Sequence, residues 1–133
     1  MPVIAAATAY WALVFAAGFA LGTARVLLLA PRLGETGAVA LELPVMLALS
    51  WLAARAVLRR RPLPPGTPRL AMGALAFALL MGAEAALALL AFGQTPAAWA
   101  VALATPPGAL GLAGQTLFAL IPWLQGRRPA LGA

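Results

Sequence analysis

Arg59-Arg60-Arg61-Pro62-Leu63-Pro64-Pro65-Gly66-Thr67-Pro68-Arg69 divides an otherwise apolar chain into two halves. Its prolines deny a helix the backbone N–H groups it needs to continue, and its arginines resist entering hydrocarbon. This stretch is therefore a loop at a membrane surface. On either side lie apolar segments that can each form a spanning helix, since about 20 residues at 1.5 Å rise cover the roughly 30 Å of a bilayer core.

Upstream, residues 4–30 are apolar apart from Arg25, and residues 38–58 carry Glu42 and Pro44 near their start and Arg55 near their end. The first of these runs is longer than the bilayer requires and must tilt or protrude. It lacks a basic leader and reads as a spanning helix rather than a secretory signal. Between the two, Pro31-Arg32-Leu33-Gly34-Glu35-Thr36-Gly37 is rich in turn formers, with one solvated charge of each sign. Downstream, residues 70–92 are apolar apart from Glu84, and residues 109–124 hold Gln115 and Thr116. A short apolar run at 97–104, too brief to span, fits an interfacial or re-entrant piece between the last two spans. The expected fold is all-α: an integral membrane four-helix bundle, one domain over residues 1–133, running up-down-up-down.

Composition agrees with lipid as the main solvent. Of 133 residues, 64% are hydrophobic and 9% charged, a balance that a water-soluble domain of this size could not cover with polar surface. Cys, His, Lys, Asp and Asn are all missing, which excludes imidazole- or thiolate-held haem, iron–sulfur clusters, ordinary zinc sites and His-activated nucleophiles. Ser50 is the single serine and has no base to activate it. No catalytic, cofactor or metal set is expected. A lipid-modifying activity using carboxylates is the one enzymatic reading that the repertoire leaves.

The net charge of +6 does not indicate nucleic acid, because the arginines cluster beside apolar spans without interleaved aromatic residues. Arg59, Arg60, Arg61 and Arg69 in the central loop and Arg127 and Arg128 in the tail belong to one side, whereas the other connections hold Arg32 alone. The positive-inside rule makes that side the cytoplasm and puts both termini there. The same arginines are candidates for anionic lipid headgroups. Tyr10, Trp11, Trp51 and Trp123 fall where interfacial anchors belong.

Small residues four apart mark candidate helix contacts in lipid. Gly18 and Gly22 form such a pair in the first span, and Ala74, Ala78, Gly82 and Ala86 form a row in the third. They suggest association with a second copy or with a larger membrane complex.

The membrane-embedded polar residues can be compared by depth. With the first reversal near position 34, Arg25 falls level with about position 43, beside Glu42; with the second near 64, Glu84 falls level with about position 44. With the third near 100, Glu84 falls level with Gln115 and Thr116. Arg25, Glu42, Glu84, Gln115 and Thr116 thus share one expected plane. Charges at that depth should face the bundle interior and find partners. One arginine against two carboxylates leaves one over, the place where a proton-coupled function could be built. The alternatives are that the cluster only fixes helix register, or that Arg25 snorkels to the interface and dissolves it.

The stretch Gly18-Phe19-Ala20-Leu21-Gly22-Thr23-Ala24-Arg25-Val26, with Ala30-Pro31-Arg32-Leu33-Gly34 and Glu42-Leu43-Pro44-Val45-Met46-Leu47, resembles a family of small four-span inner-membrane proteins of Alphaproteobacteria. The resemblance covers the first half of the chain. It implies a bacterial inner membrane and four spans, and no known activity. The small multidrug resistance transporters share the size and a buried Glu, but theirs lies in the first helix, where this chain has Arg25. The sequence therefore favours a non-enzymatic dimer or accessory subunit, with a proton-coupled small-molecule transporter or binder as the alternative.

Overall fold

The computed structural model describes residues 2–127. They are almost entirely helical: α1 (Pro2–Ala24), a π-helical segment at Arg25–Leu29, α2 (Ala30–Arg60), α3 (Thr67–Ala86), a second π-helical segment at Leu87–Ala91, α4 (Pro96–Leu103) and α5 (Pro106–Arg127). Three continuous runs are long and apolar enough to cross a membrane, namely Pro2–Arg60, Thr67–Ala91 and Pro106–Gln125.

The first of these runs does not continue straight. Gly34 has φ 76° and ψ 166°, a backbone region that essentially only glycine enters, and it breaks the helical path inside α2. On an unbroken helix Arg25 and Glu42 would lie about 25 Å apart along the axis. Their side chains instead meet at 2.9 Å, and Gly18 lies against the Met46 side chain, so the chain folds back on itself. The turn-rich stretch 31–37 is thus shorter as a turn than its composition suggests. Pro31 occupies the first turn of α2, where its missing N–H costs nothing, and a single glycine carries the reversal.

The other breaks follow local chemistry. After Arg61 the prolines hold an extended loop, from which Leu63 turns inward and is buried. Arg69 secures it by donating from Nε to the Leu63 carbonyl at 3.0 Å. Gly93, at φ 65°, ends the third run, and Gln94 N donates to the Ala88 carbonyl at 2.8 Å. Thr95 then caps α4 by accepting from Ala98 N at 3.1 Å, with Pro96 at the first helical position. α4 buries none of its residues.

The tightest packing is centred on Tyr10, Met72, Ala76, Leu80, Phe118 and Ile121, with Ala54 and Val57 from α2. Tyr10 and Phe118 stack at 4.4 Å between ring centroids, and the Tyr10 hydroxyl donates to the Phe118 carbonyl at 2.6 Å. That carbonyl is free because Pro122, four residues later and fully buried, has no N–H to give it. Tyr10 therefore replaces a helix hydrogen bond that Pro122 removes.

Close helix approach occurs at Gly73, where a Cβ would run into the Ala119 carbonyl oxygen. The predicted row Ala74, Ala78, Gly82 and Ala86 is exposed instead, and nothing lies within 4 Å of the Cβ position at Gly82. Within this chain α3 therefore packs through a different face. One step along a helix turns the side chain by about 100°, so the row beginning at 74 and the contact at 73 face different ways. Large apolar side chains also point outward, Leu90 and Phe92 above all, an outer surface suited to lipid.

Candidate functional site

The polar residues gather between the helices rather than at the chain's ends. From the first π-helical segment, where Ala30 N reaches back five residues to the Arg25 carbonyl, Arg25 extends its Nε to within 2.9 Å of Glu42 Oε2. Gly22, one turn earlier, lies beside the guanidinium: a Cβ there would make an ordinary contact with Arg25 Nη2 at 3.6 Å. The Nε N–H is not aimed at the carboxylate, so the contact is an ion pair rather than a directed hydrogen bond. Arg25 keeps 28% of its side chain exposed and Glu42 15%, which places the pair at the rim of the cluster.

Glu84 lies on α3, one turn before the second π-helical segment, in which Phe92 N reaches the Leu87 carbonyl at 3.0 Å. Its partner is not Arg25. Gln115 Nε2 donates to both Glu84 oxygens, at 2.6 and 2.7 Å, joining α3 to α5. The other end of that amide, Gln115 Oε1, is buried and has no donor.

Both pairs face one cavity of about 220 Å³. Leu43, Met46, Leu80 and Phe118 supply its apolar wall; Gly18 and Gly114 also line it, the room of their missing side chains taken by Met46 and Leu43, and Gly111 leaves it open. At Gly111 nothing stands within 4 Å of the Cβ position. Ser50 closes the floor beside Tyr10 and Phe118, and since the single Tyr10 hydroxyl hydrogen is used on the Phe118 carbonyl, it is Ser50 that donates to Tyr10.

Four of the five residues expected to share a plane thus come together, as two pairs instead of one cluster around Arg25. Thr116 does not join them. It is exposed, and its hydroxyl donates to the Leu112 carbonyl of its own helix at 2.9 Å. Neighbouring positions are turned about 100° apart on a helix, and the packing brings Gln115 in and leaves Thr116 out. Arg25 reaches inward to Glu42 rather than to the interface.

Of the residues assigned to helix packing, Gly18 is in contact with Met46 across the first reversal, while Ala78 and Gly82 face outward. Arg59, Arg60 and Arg61 are exposed, whereas Arg69 is part-buried and tied to its own loop. Arg128 and the side chain of Arg127 lie outside the described residues. Sequence reasoning missed the Tyr10–Phe118–Ser50 floor; the available signal was Pro122 four residues after Phe118, which frees a carbonyl that some donor must meet. Among the described residues no three His, Cys, Asp or Glu side chains come together as a metal-binding group. Comparison with known proteins found no matching family model, no matching curated protein and no matching solved structure.

Proposed function

We propose that this chain is a non-enzymatic membrane protein that binds or carries a small molecule inside its helix bundle, with occupancy coupled to a proton at Glu84. The observation that carries the reading is the cavity of about 220 Å³ with both membrane-embedded carboxylates on its wall. A cluster whose only task was to fix helix register would be expected to close on itself. Here space remains beside Glu84, and ionisable groups inside a membrane are retained where a substrate or proton pathway uses them.

The remaining features of the reading have separate support. The pairings of Arg25 with Glu42 and of Glu84 with Gln115 suit an up-down-up-down bundle. The arginine-rich central loop and tail favour a cytoplasmic location for both termini, and the resemblance of the first half to small alphaproteobacterial proteins favours a bacterial inner membrane. Lipid is then the first partner of the outer surface.

Proton coupling is tested by the thermal stability of purified protein with small organic probes over a range of pH. The titratable or charged groups that share the cavity wall with Glu84 are Arg25 and Glu42, while α5 offers Gln115, which does not titrate. The wild type should show pH-dependent stabilisation by a bound probe, and Glu84→Gln should abolish the pH dependence. The same dependence in both proteins would show that Glu84 is not the coupling group.

A second reading concerns assembly. The outward row Ala74, Ala78, Gly82 and Ala86 is smooth and apolar, the surface on which helices approach closely in lipid, and it favours a homodimer or attachment to a larger membrane complex. Crosslinking at Ala78→Cys, introduced into a chain that has no other cysteine, should give a dimer band in membranes. A monomer that also purifies without a partner would remove this reading.

A further inference from the structure

Resting on the ligand-site reading of the cavity, we propose that its ligand is a small organic monocation bearing N–H donors, of the alkylammonium or amidinium type. The first ground is charge. The cavity wall carries Glu42, Glu84 and one cation, Arg25, and Arg25 is in contact with Glu42. Glu84 is gripped by a neutral amide, so the ionised site holds one negative charge more than positive. In a low-dielectric surrounding an unbalanced carboxylate is costly, and one positive charge on the ligand balances it. An anion or a dication would leave the site unbalanced.

The second ground is hydrogen bonding. Gln115 Oε1 is buried without a donor, on the same side chain whose nitrogen holds Glu84. A ligand that gives one N–H to Glu84, and another to this oxygen once the amide turns it toward the cavity, satisfies both acceptors at once. A quaternary ammonium has the charge but no N–H, and leaves the amide oxygen orphaned.

The third ground is the wall. Phe15, Leu80 and Phe118 border the same space, and the oxygens on offer are Glu84, Gln115 Oε1 and the already committed Ser50 hydroxyl. Hard metal ions take six or more oxygens, so this surface suits an apolar body behind a charged head. For size, a cavity of about 150 Å³ accommodates benzene, and about 220 Å³ scales to roughly nine non-hydrogen atoms.

Calorimetric titration of the full chain in nanodiscs with four probes tests the proposal: cyclohexylammonium, the equally sized quaternary 1,1-dimethylpyrrolidinium, cyclohexanol and cyclohexanecarboxylate. Cyclohexylammonium should bind saturably at one site and at least tenfold more tightly than the other three. Glu84→Gln should weaken it at least tenfold, and Gly111→Leu, which fills the cavity, should abolish it. Should Glu84→Gln fail to fold, the ranking of the four probes on the wild type decides alone. Cyclohexanol binding as tightly as the ammonium, and lost in Gly111→Leu, would overturn the cation assignment and leave the cavity as a ligand site. Binding that survives Gly111→Leu, or no saturable binding by any probe, would overturn both.

Discussion

The half of the bundle around Tyr10 and the half around Glu84 are built from the same helices and largely the same alanine and leucine, yet they pack in opposite ways. Around Tyr10 the helices touch: Gly73 admits the Ala119 backbone, Tyr10 stacks on Phe118, and the carbonyl freed by Pro122 receives a hydroxyl. Around Glu84 three glycines stand at the wall of a cavity, and both helical runs that carry its charges loosen into π-helical segments. π-Helical turns of this kind are frequent at functional sites. Glycine thus plays two parts in one molecule. At 73 it brings backbones together, and at 111 it keeps space empty. Polar on one side and resting on a closed floor, the hollow has the shape that the proposed ligand site requires.

Substitutions that act on one half should leave the other alone. The largest effect is expected at Gly73→Ala, whose Cβ meets the Ala119 backbone. Separating α3 from α5 should cost about 3 kcal/mol, at the upper end of overpacking effects, read as a loss of reversible unfolding stability in detergent. Arg25→Met comes next. It leaves Glu42 unpaired at partial burial, and about 2 kcal/mol is expected, below the value for a fully buried pair because both side chains keep some exposure. Restored stability in the double variant Arg25→Met, Glu42→Gln would confirm that the loss comes from the orphaned charge.

Tyr10→Phe should cost about 1–2 kcal/mol, because the Phe118 carbonyl loses its donor. The effect should shrink when Pro122→Ala restores a helical N–H to that carbonyl, and an undiminished loss in the double variant would disprove the replacement. Gly111→Ala should have the opposite sign to Gly73→Ala. A Cβ at 111 meets nothing within 4 Å, and alanine favours the helix by about 0.5–1 kcal/mol. Thr116→Val should change stability by less than about 0.5 kcal/mol and leave probe binding intact, since its hydroxyl serves only its own helix. A binding defect in Thr116→Val would restore that residue to the site.

Much of this site is legible in the sequence because depth is nearly a matter of counting. Rise per residue is fixed, so once the reversals are placed near Gly34 and in the stretch 93–108, the pairings of Arg25 with Glu42 and of Glu84 with Gln115 follow. Their division into two pairs does not follow, for it depends on which helices are neighbours across the cavity. Nor does Ser50 announce itself, being one hydroxyl among apolar residues whose importance comes from Tyr10, forty positions away in the chain.

What the sequence determines by itself is the helical class, the apolar runs long enough to cross a membrane, the breakpoints and which polar groups come level with one another. These depend on hydrophobicity, on proline and glycine backbone chemistry and on a constant rise, all of which act locally. What the tertiary structure alone decides is how each helix is turned about its own axis. It brings Gln115 in and sends Thr116 out, and it buries Gly73 while exposing the row from Ala74 to Ala86. The physical reason is that these helices are apolar on nearly every face. No strip of polar residues marks the outside, so rotation is set by the close fit of backbones and side chains between helices, and that fit exists only once the bundle has assembled.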